Sequence, residues 1–455
     1  MIEFTLKELA ARCGGALEGG DARIGAVSTD SRKCKGALFV ALKGEKFDGH
    51  DFIRKAVEGG AAALLVSRPI QDPGIPYVLC ADTLRGLGLC GAIVRQKCPA
   101  RVASLTGSCG KTTVKELCSG ILSQCGRTIA TSGNFNNDVG VPLTLLRLEK
   151  DTQYAVIEQG ASHPHDISRT CEFVKADTAL INNAGAAHIE GFGSLRGIYE
   201  GKSEILQDVL GRGGVGAVPS DSNWTGQWKS DFASALREGR LVTFGTHEGD
   251  LARVTNIRTS TEGISFTISA QGRSFDASLP LLGAHNAMNA AAACALALIT
   301  GAPLDALKSG LEHGAPMRGR LFMQTHGDVS LIDDAYNASY NAVIAALDVL
   351  HDAEGMRIMA FGDMGELGDE ARALHARVGE HARGRCDAFL CAGPLAKAAA
   401  EAYGDGAEHF DSVEALASRA AALAAEPGRK CFLVKGSHAM GMDRVNEAVR
   451  RAGGF

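Results

Sequence analysis

Lys111 and Thr112 follow two glycines, Gly107 and Gly110, in the run Val102-Ala-Ser-Leu-Thr-Gly-Ser-Cys-Gly-Lys-Thr-Thr113. That spacing suits a nucleoside triphosphate: the lysine reaches the β- and γ-phosphates and the hydroxyl can hold Mg²⁺. The glycines let the backbone approach phosphate oxygens closely. Ser108, Cys109 and Thr113 complete the loop, with Cys109 as a space-filling position. Such a loop must be held by a strand before it and a helix after it. The apolar run from Val102 supplies the strand. Val114, Leu117, Cys118, Ile121, Leu122 and Cys125 recur at i, i+3, i+4, i+7 and i+8, which marks one buried helix face, and Gly126 sits where a stop is expected. The N–H groups opening that helix carry its positive dipole end and attract phosphate. Leu105 stands where a full G-x-x-x-x-G-K-[ST] loop has glycine. The loop alone suits an ATPase, a GTPase, a kinase or a ligase.

Nucleotide chemistry needs cation ligands opposite the phosphates, so acidic groups at strand ends are the candidates. Glu158 ends the apolar run Tyr154-Ala-Val-Ile-Glu, where side chains face the ligand crevice of an open α/β sheet. His188 follows the next such run. Mg²⁺ prefers oxygen, so coordination chemistry alone reads it as a hydrogen-bonded loop histidine. Gly211-Arg-Gly-Gly-Val-Gly216 fits G-x-G-x-x-G but precedes a strand pattern, and it reads as a turn. His163 and His165 have no third ligand at zinc spacing.

At 455 residues the chain is long enough for about three domains. Its net charge of −5, with no lysine/arginine cluster among aromatics, gives no electrostatic case for nucleic acid or an anionic membrane. The start Met1-Ile-Glu-Phe-Thr is acidic where a signal peptide would be basic and apolar. The run Ala290 to Ile299 is too short for membrane insertion. Thirteen cysteines without a C-x-x-C pair read as reduced thiols of a cytoplasmic protein.

The fold expected is α/β in three domains. A small N-terminal αβ domain covers 1–84, a central phosphate-loop α/β domain 85–314 and a C-terminal Rossmann-like α/β domain 315–455. In the first, strands around Ala26–Arg32, Ala37–Leu42 and Ala61–Val66 surround a helix from Ile53. In the second, strands at 154–158, 178–182 and 216–219 alternate with helices and imply parallel pairing. There, 263–282 reads as a β-hairpin and Ala287–Thr300 as a buried helix. In the third, strands at 330–333, 357–361, 388–392, 408–410 and 431–434 alternate with helices at 341–351, 369–383, 394–403, 412–425 and 440–451.

Taken together these motifs resemble the Mur ligases, the ATP-dependent amino-acid-adding enzymes of bacterial peptidoglycan synthesis. The loop Thr106–Thr113 is similar to that family's shortened phosphate loop, which accounts for Leu105. The resemblance implies Thr112, Glu158 and His188 as Mg²⁺ ligands, with two ions. It also implies that Lys202, in Tyr199-Glu-Gly-Lys-Ser-Glu-Ile-Leu206, is carbamylated to hold the second. Gly283-Ala-His-Asn-Ala-Met-Asn289 resembles the adenine-contacting helix start, with Asn286 and Asn289 as the contacts. Arg320 and Asp334 resemble residues of the last domain that close onto the nucleotide.

Within the family, the chain is similar to members that add a dipeptide. The stretches carrying this are Ser28-Thr-Asp-Ser-Arg32 with Leu38–Gly44 and Asp48–Asp51, Gly133–Pro142, Gly362–Gly368 and Val434–Met442. The Asp-Asn-Pro-Arg motif of diaminopimelate-adding members is missing. The resemblance implies UDP-N-acetylmuramoyl-tripeptide and D-alanyl-D-alanine as substrates of a monomeric enzyme. Ser28, Asp30, Ser31, Arg32, Asn134 and Asn137 would hold the UDP-linked acceptor, and Lys111, His188 and Lys202 would serve the chemistry. One departure is Ser339-Tyr340, where the family commonly reads Asn-Pro. A rival class, a nucleotide-hydrolysing switch, would release phosphate without an acceptor.

Overall fold

Short apolar runs separated by helical patterns become parallel strands, and each lobe is built on one main sheet. The computed structural model describes all residues except 45, 46, 261, 313–318 and 320. The expected break at 314/315 therefore lies outside the described residues.

The middle lobe's sheet runs Arg273–Leu279, Gly263–Ala270, Ala252–Ser260, Leu241–Gly245, Val215–Pro219, Thr178–Ile181, Arg101–Thr106, Tyr154–Glu158 and Thr128–Ala130. It is parallel except for its first two pairings, which are antiparallel. Arg101–Thr106 lies between Tyr154–Glu158 and Thr178–Ile181, so the chain leaves it with a neighbour's end on each side. That is the crevice where open α/β sheets bind ligands. The predicted hairpin forms, extended by Ala252–Ser260 and Leu241–Gly245, which sequence reading did not assign. Alternation in Ala252–Ser260 is broken by a register shift between Thr255 and Arg258.

The third lobe's sheet runs Phe322–His326, Val329–Asp334, Lys430–Lys435, Met356–Gly362, Ala388–Ala392 and Ala407–Phe410, parallel except for its first pair. Phe322–His326 is the strand not expected there. In the first lobe, Ala16–Glu18, Tyr77–Leu79, Ala63–Val66, Leu38–Val40 and Val27–Ser28 form one sheet beside a short two-stranded ribbon. The strand expected over Ala26–Arg32 shrinks to Val27–Ser28, because the Ser28 hydroxyl donates to the Asp30 carbonyl and accepts the Asp30 N–H, which turns the chain.

Helix Thr83–Lys97 contains the 84/85 boundary and joins the first two lobes. Lys97 donates to Glu8 and to the Glu3 carbonyl, while Arg95 donates to Asp177. One continuous apolar core runs from Ile2 through Leu38, Leu87, Ile93, Leu145 and Ile157 to Leu241. The third lobe has its own cores on the two faces of its sheet, one of which takes in Leu282. Among the described residues no helix is long and apolar enough to cross a membrane. All thirteen cysteines are free thiols.

Candidate functional site

Helix Lys111–Ser123 starts directly at the phosphate-loop lysine, with Gly110 as its N-cap at φ +75°. A Cβ on Gly110 would lie 2.5 Å from Asn289 Oδ1 and 2.7 Å from Asn182 Nδ2, so only glycine fits. No side chain caps this start, among the described residues, and a helix N-terminus of this kind favours an anion. Leu105 is buried within the strand, opposite Glu158 and Leu180, and so stands before the turn where glycine is needed.

The loop is clasped by the segment after Thr178–Ile181. Asn183 accepts from the Cys109 N–H at 2.9 Å, and Asn182 and Asn183 donate to the Cys109 carbonyl at 2.9 and 3.0 Å. Ser108 Oγ donates to the Gly185 carbonyl, and Lys111 Nζ to the Gly107 carbonyl. Asn182 also donates to Asn289, which donates to Asn286. These bonds join the expected adenine-side residues to the loop.

Glu158 is 2% exposed, and both of its oxygens are held. Thr112 Oγ1 donates to Oε2 at 2.9 Å and Asn136 Nδ2 to Oε1 at 2.8 Å. Its own N–H donates to Thr131 Oγ1, and the Thr131 carbonyl accepts from the fully buried Lys115 Nζ at 2.6 Å. Sequence reading missed Asn136 and Lys115. Asn134 and Asn137, expected to hold the acceptor, flank Asn136 in sequence. Both line the cleft, but Asn137 Oδ1 is occupied by the Val139 and Gly140 N–H groups where helix Gly140–Leu145 begins. The signal that would have separated them is the Asn137-to-Gly140 spacing.

Lys202, on helix Leu195–Gly211, is fully buried, and its Nζ has no hydrogen-bond partner. Burial pulls its pKa from 10.5 down to about 7, helped by the charge of Lys111 and opposed by Cys109. The Phe192 ring lies 5.7 Å from Nζ. His188 sits at φ +57° and bonds Glu366 of the third lobe through Nδ1. That bond and partly opposing burial leave the Glu366 carboxyl below its ordinary range.

Asp334 is engaged by Lys435 Nζ at 2.5 Å and accepts the Leu321 N–H. Arg320 lies outside the described residues. Ser339, the departure from the family pattern, opens helix Tyr340–His351 and places its hydroxyl 3.3 Å from Cys109 Sγ. The loop, Glu158, His188, Asn286, Asn289, Asp334 and Lys435 all line one cleft of about 1610 Å³ between the middle and third lobes. Ser28, Asp30, Ser31 and Arg32 do not line it. Arg32 there grips Asp30 with two bonds of 2.9 and 2.8 Å and holds that carboxylate well below its usual range.

A phosphate loop at a sheet's switch point, a held carboxylate beside it and a third α/β lobe across the cleft define a nucleotide-dependent enzyme of three α/β lobes. Models of the Mur ligase family catalytic domain, the Mur ligase middle domain and the Mur ligase glutamate ligase domain match residues 23–86, 105–297 and 319–438. The UDP-N-acetylmuramoyl-tripeptide–D-alanyl-D-alanine ligase of Escherichia coli (strain K12) is 44% identical over 456 residues, covering 100% of each chain. The chain belongs to the Mur ligase family. A crystal structure of MurF from Acinetobacter baumannii superposes with a TM-score of 0.91 at 34% identity, covering 99% of both chains. MurF ligase from Thermotoga maritima in complex with ADP gives 0.82 at 25% identity, over 94% of this chain and 98% of that one.

Proposed function

We propose that the chain joins D-alanyl-D-alanine to the free carboxylate of UDP-N-acetylmuramoyl-tripeptide, converting ATP to ADP and phosphate, in peptidoglycan precursor synthesis in the bacterial cytoplasm. The full-length 44% identity to a ligase of that name carries this reading, and the phosphate loop at the cleft supports it. The acceptor carboxylate attacks the γ-phosphorus, giving an acyl phosphate and ADP. The dipeptide amine then attacks the acyl carbon, loses a proton and expels phosphate.

Gly107, Ser108, Cys109, Gly110, Thr112 and Thr113 present loop N–H groups and hydroxyls to the phosphates, and Lys111 offsets the charge that gathers on the γ-phosphate. Asn286 and Asn289 hold the adenine, with Arg320 and Asp334 closing from the third lobe. Ser28, Asp30, Ser31 and Arg32 bind the uridine diphosphate end, and Asn134 and Asn137 the peptide end. Three units, 1–84, 85–314 and 315–455, divide this work in a monomer, and docking of the third excludes water from the acyl phosphate.

Mg²⁺ fits the donor set. Among the described residues no three His, Cys, Asp or Glu side chains come together, so most of its oxygens must come from elsewhere. Thr112, Glu158, the phosphates, His188 and a carbamate on Lys202 would hold two ions. The orphaned, desolvated Nζ of Lys202 supports the carbamate, since only a neutral amine reacts with CO₂. When bound, the ions neutralise phosphoryl oxygens in both steps.

The test supplies UDP-N-acetylmuramoyl-tripeptide, ATP and one amine donor at a time, with products read by mass. A pentapeptide formed only with D-alanyl-D-alanine is expected. A donor with a second amine or carboxylate would need a charged partner, and leaving it desolvated costs several kcal/mol. Addition of a single diamino acid to a UDP-linked dipeptide would overturn the assignment.

A further inference from the structure

Two loops from different lobes meet at His188 and Glu366, and both residues occupy left-handed backbone, at φ +57° and +59°. Neither is glycine, so each is held in a conformation its side chain disfavours, and such residues cluster where function requires them. His188 Nδ1 bonds Glu366 Oε2, and the Glu190 N–H points at the Glu366 carbonyl 3.5 Å away. The loop that carries Glu366 is anchored from behind. The Met364 N–H donates to Nε2 of the fully buried His375 at 2.9 Å, and the His375 Nδ1–H donates to the Ala371 carbonyl. Met364 and Leu367, on either side of the apex, are buried, while Glu366 lines the cleft with His188.

We propose that Glu366 is the positioning residue for His188: by accepting its Nδ1–H from across the lobe boundary, it turns Nε2 to the cleft as a cation ligand. The proposal rests on the reading of His188 as a cation ligand given above. A carboxylate behind a ligating histidine fixes its tautomer and raises its basicity, and losing such a partner costs 10- to 100-fold in metal affinity as an order of magnitude. The carboxylate here belongs to the third lobe and the histidine to the middle one. Docking of the third lobe and completion of the cation site are therefore a single event, so a cation held without the third lobe in place is held weakly.

The experiment titrates Mn²⁺ into the full-length protein with saturating ADP, reading free Mn²⁺ by electron paramagnetic resonance, for Glu366→Ala, Glu366→Gln, His188→Ala and the double variant. Circular dichroism melts verify that each is folded. Glu366→Ala is expected to weaken Mn²⁺ binding about tenfold or more and to lower kcat, with metal-free ADP affinity unchanged. Glu366→Gln, whose amide oxygen still accepts the Nδ1–H, recovers most of the loss. The double variant binds no more weakly than His188→Ala. Unchanged Mn²⁺ affinity in Glu366→Ala, or losses that add in the double variant, would overturn the positioning role and leave His188 as a ligand. Unchanged affinity in His188→Ala would remove the ligand reading itself, and the proposal with it.

Discussion

Replacing Lys202 by methionine should make the protein more stable and inactive at once. The lysine is fully buried, without a hydrogen-bond partner, and its pKa falls from 10.5 to about 7. Each tenfold change in proton affinity is worth about 1.4 kcal/mol, so keeping the ammonium inside costs about 5 kcal/mol. Methionine keeps the apolar length of the chain and removes the charge, so Lys202→Met should gain up to about 5 kcal/mol near pH 6.5 in buffer stripped of CO₂. The gap has a defined pH dependence. Below pH 7 both native and unfolded lysine carry the proton, and the penalty is complete. Between 7 and 10.5 the unfolded chain binds the proton and the native one does not, so wild-type stability rises with pH and the gap closes. Urea unfolding of both proteins from pH 6.5 to 9, alongside ligation assays with and without bicarbonate, makes the measurement. A variant less stable than wild type at pH 6.5, or a gap that does not change with pH, would refute the desolvated-ammonium argument. Full ligase activity in the variant would refute the carbamate.

Gly110→Ala forces a Cβ to within 2.5 Å of Asn289 Oδ1 at a positive φ, a strain of about 1–2 kcal/mol before any hydrogen bond is lost. ADP affinity by calorimetry should drop at least tenfold, and an unchanged Kd would show that the loop has another way to close. Lys111→Ala should abolish ligation while leaving the melting temperature within a few degrees. Near-normal turnover would sink the phosphate-loop assignment. Arg32→Ala should raise KM for the UDP-linked peptide and spare that for ATP, since Arg32 and Asp30 lie away from the cleft. An unchanged peptide KM would leave the pair as a local turn bridge only.

Features written in contiguous residues were legible before any coordinates. The phosphate loop, its helix and Glu158 at a strand end follow from spacing and periodicity, and the parallel strands of the two larger lobes follow from apolar runs between helices. What escaped depends on contacts made far along the chain or on loop detail. Glu366 and His188 are 178 residues apart, and only docking of two lobes brings them together. Asn136 is one of three asparagines in Asn134-Phe-Asn-Asn137. It donates to Glu158 while Asn137 Oδ1 accepts the Gly140 N–H, a division set by the local turn. Lys202, in the run Glu200-Gly-Lys-Ser-Glu204, is reached through the resemblance alone. The carbamate it implies requires an amine pKa lowered by burial or neighbouring cations, and the structure lowers it by both. The burial of Lys202 comes from packing against neighbours that the run itself does not name. Ala252–Ser260 was missed because an irregularity disrupts the alternation by which strands are recognised.

The unbroken core from Ile2 to Leu241 makes the first two lobes a measuring stick. Helix Thr83–Lys97 packs into both lobes, so with the uridine end of the acceptor held at Ser28–Arg32, as proposed, its distance to the phosphate loop is set by packing within one core. On that proposal the span the acceptor bridges is set by the shared core. An extended residue covers about 3.3–3.6 Å, so an acceptor one amino acid short leaves its carboxylate that far from the γ-phosphate, well beyond attacking distance. Chain length is thus checked by rigidity alone, before the amine donor arrives. Phosphate release with a UDP-linked dipeptide should stay at background even at saturating concentration, whatever donor is supplied.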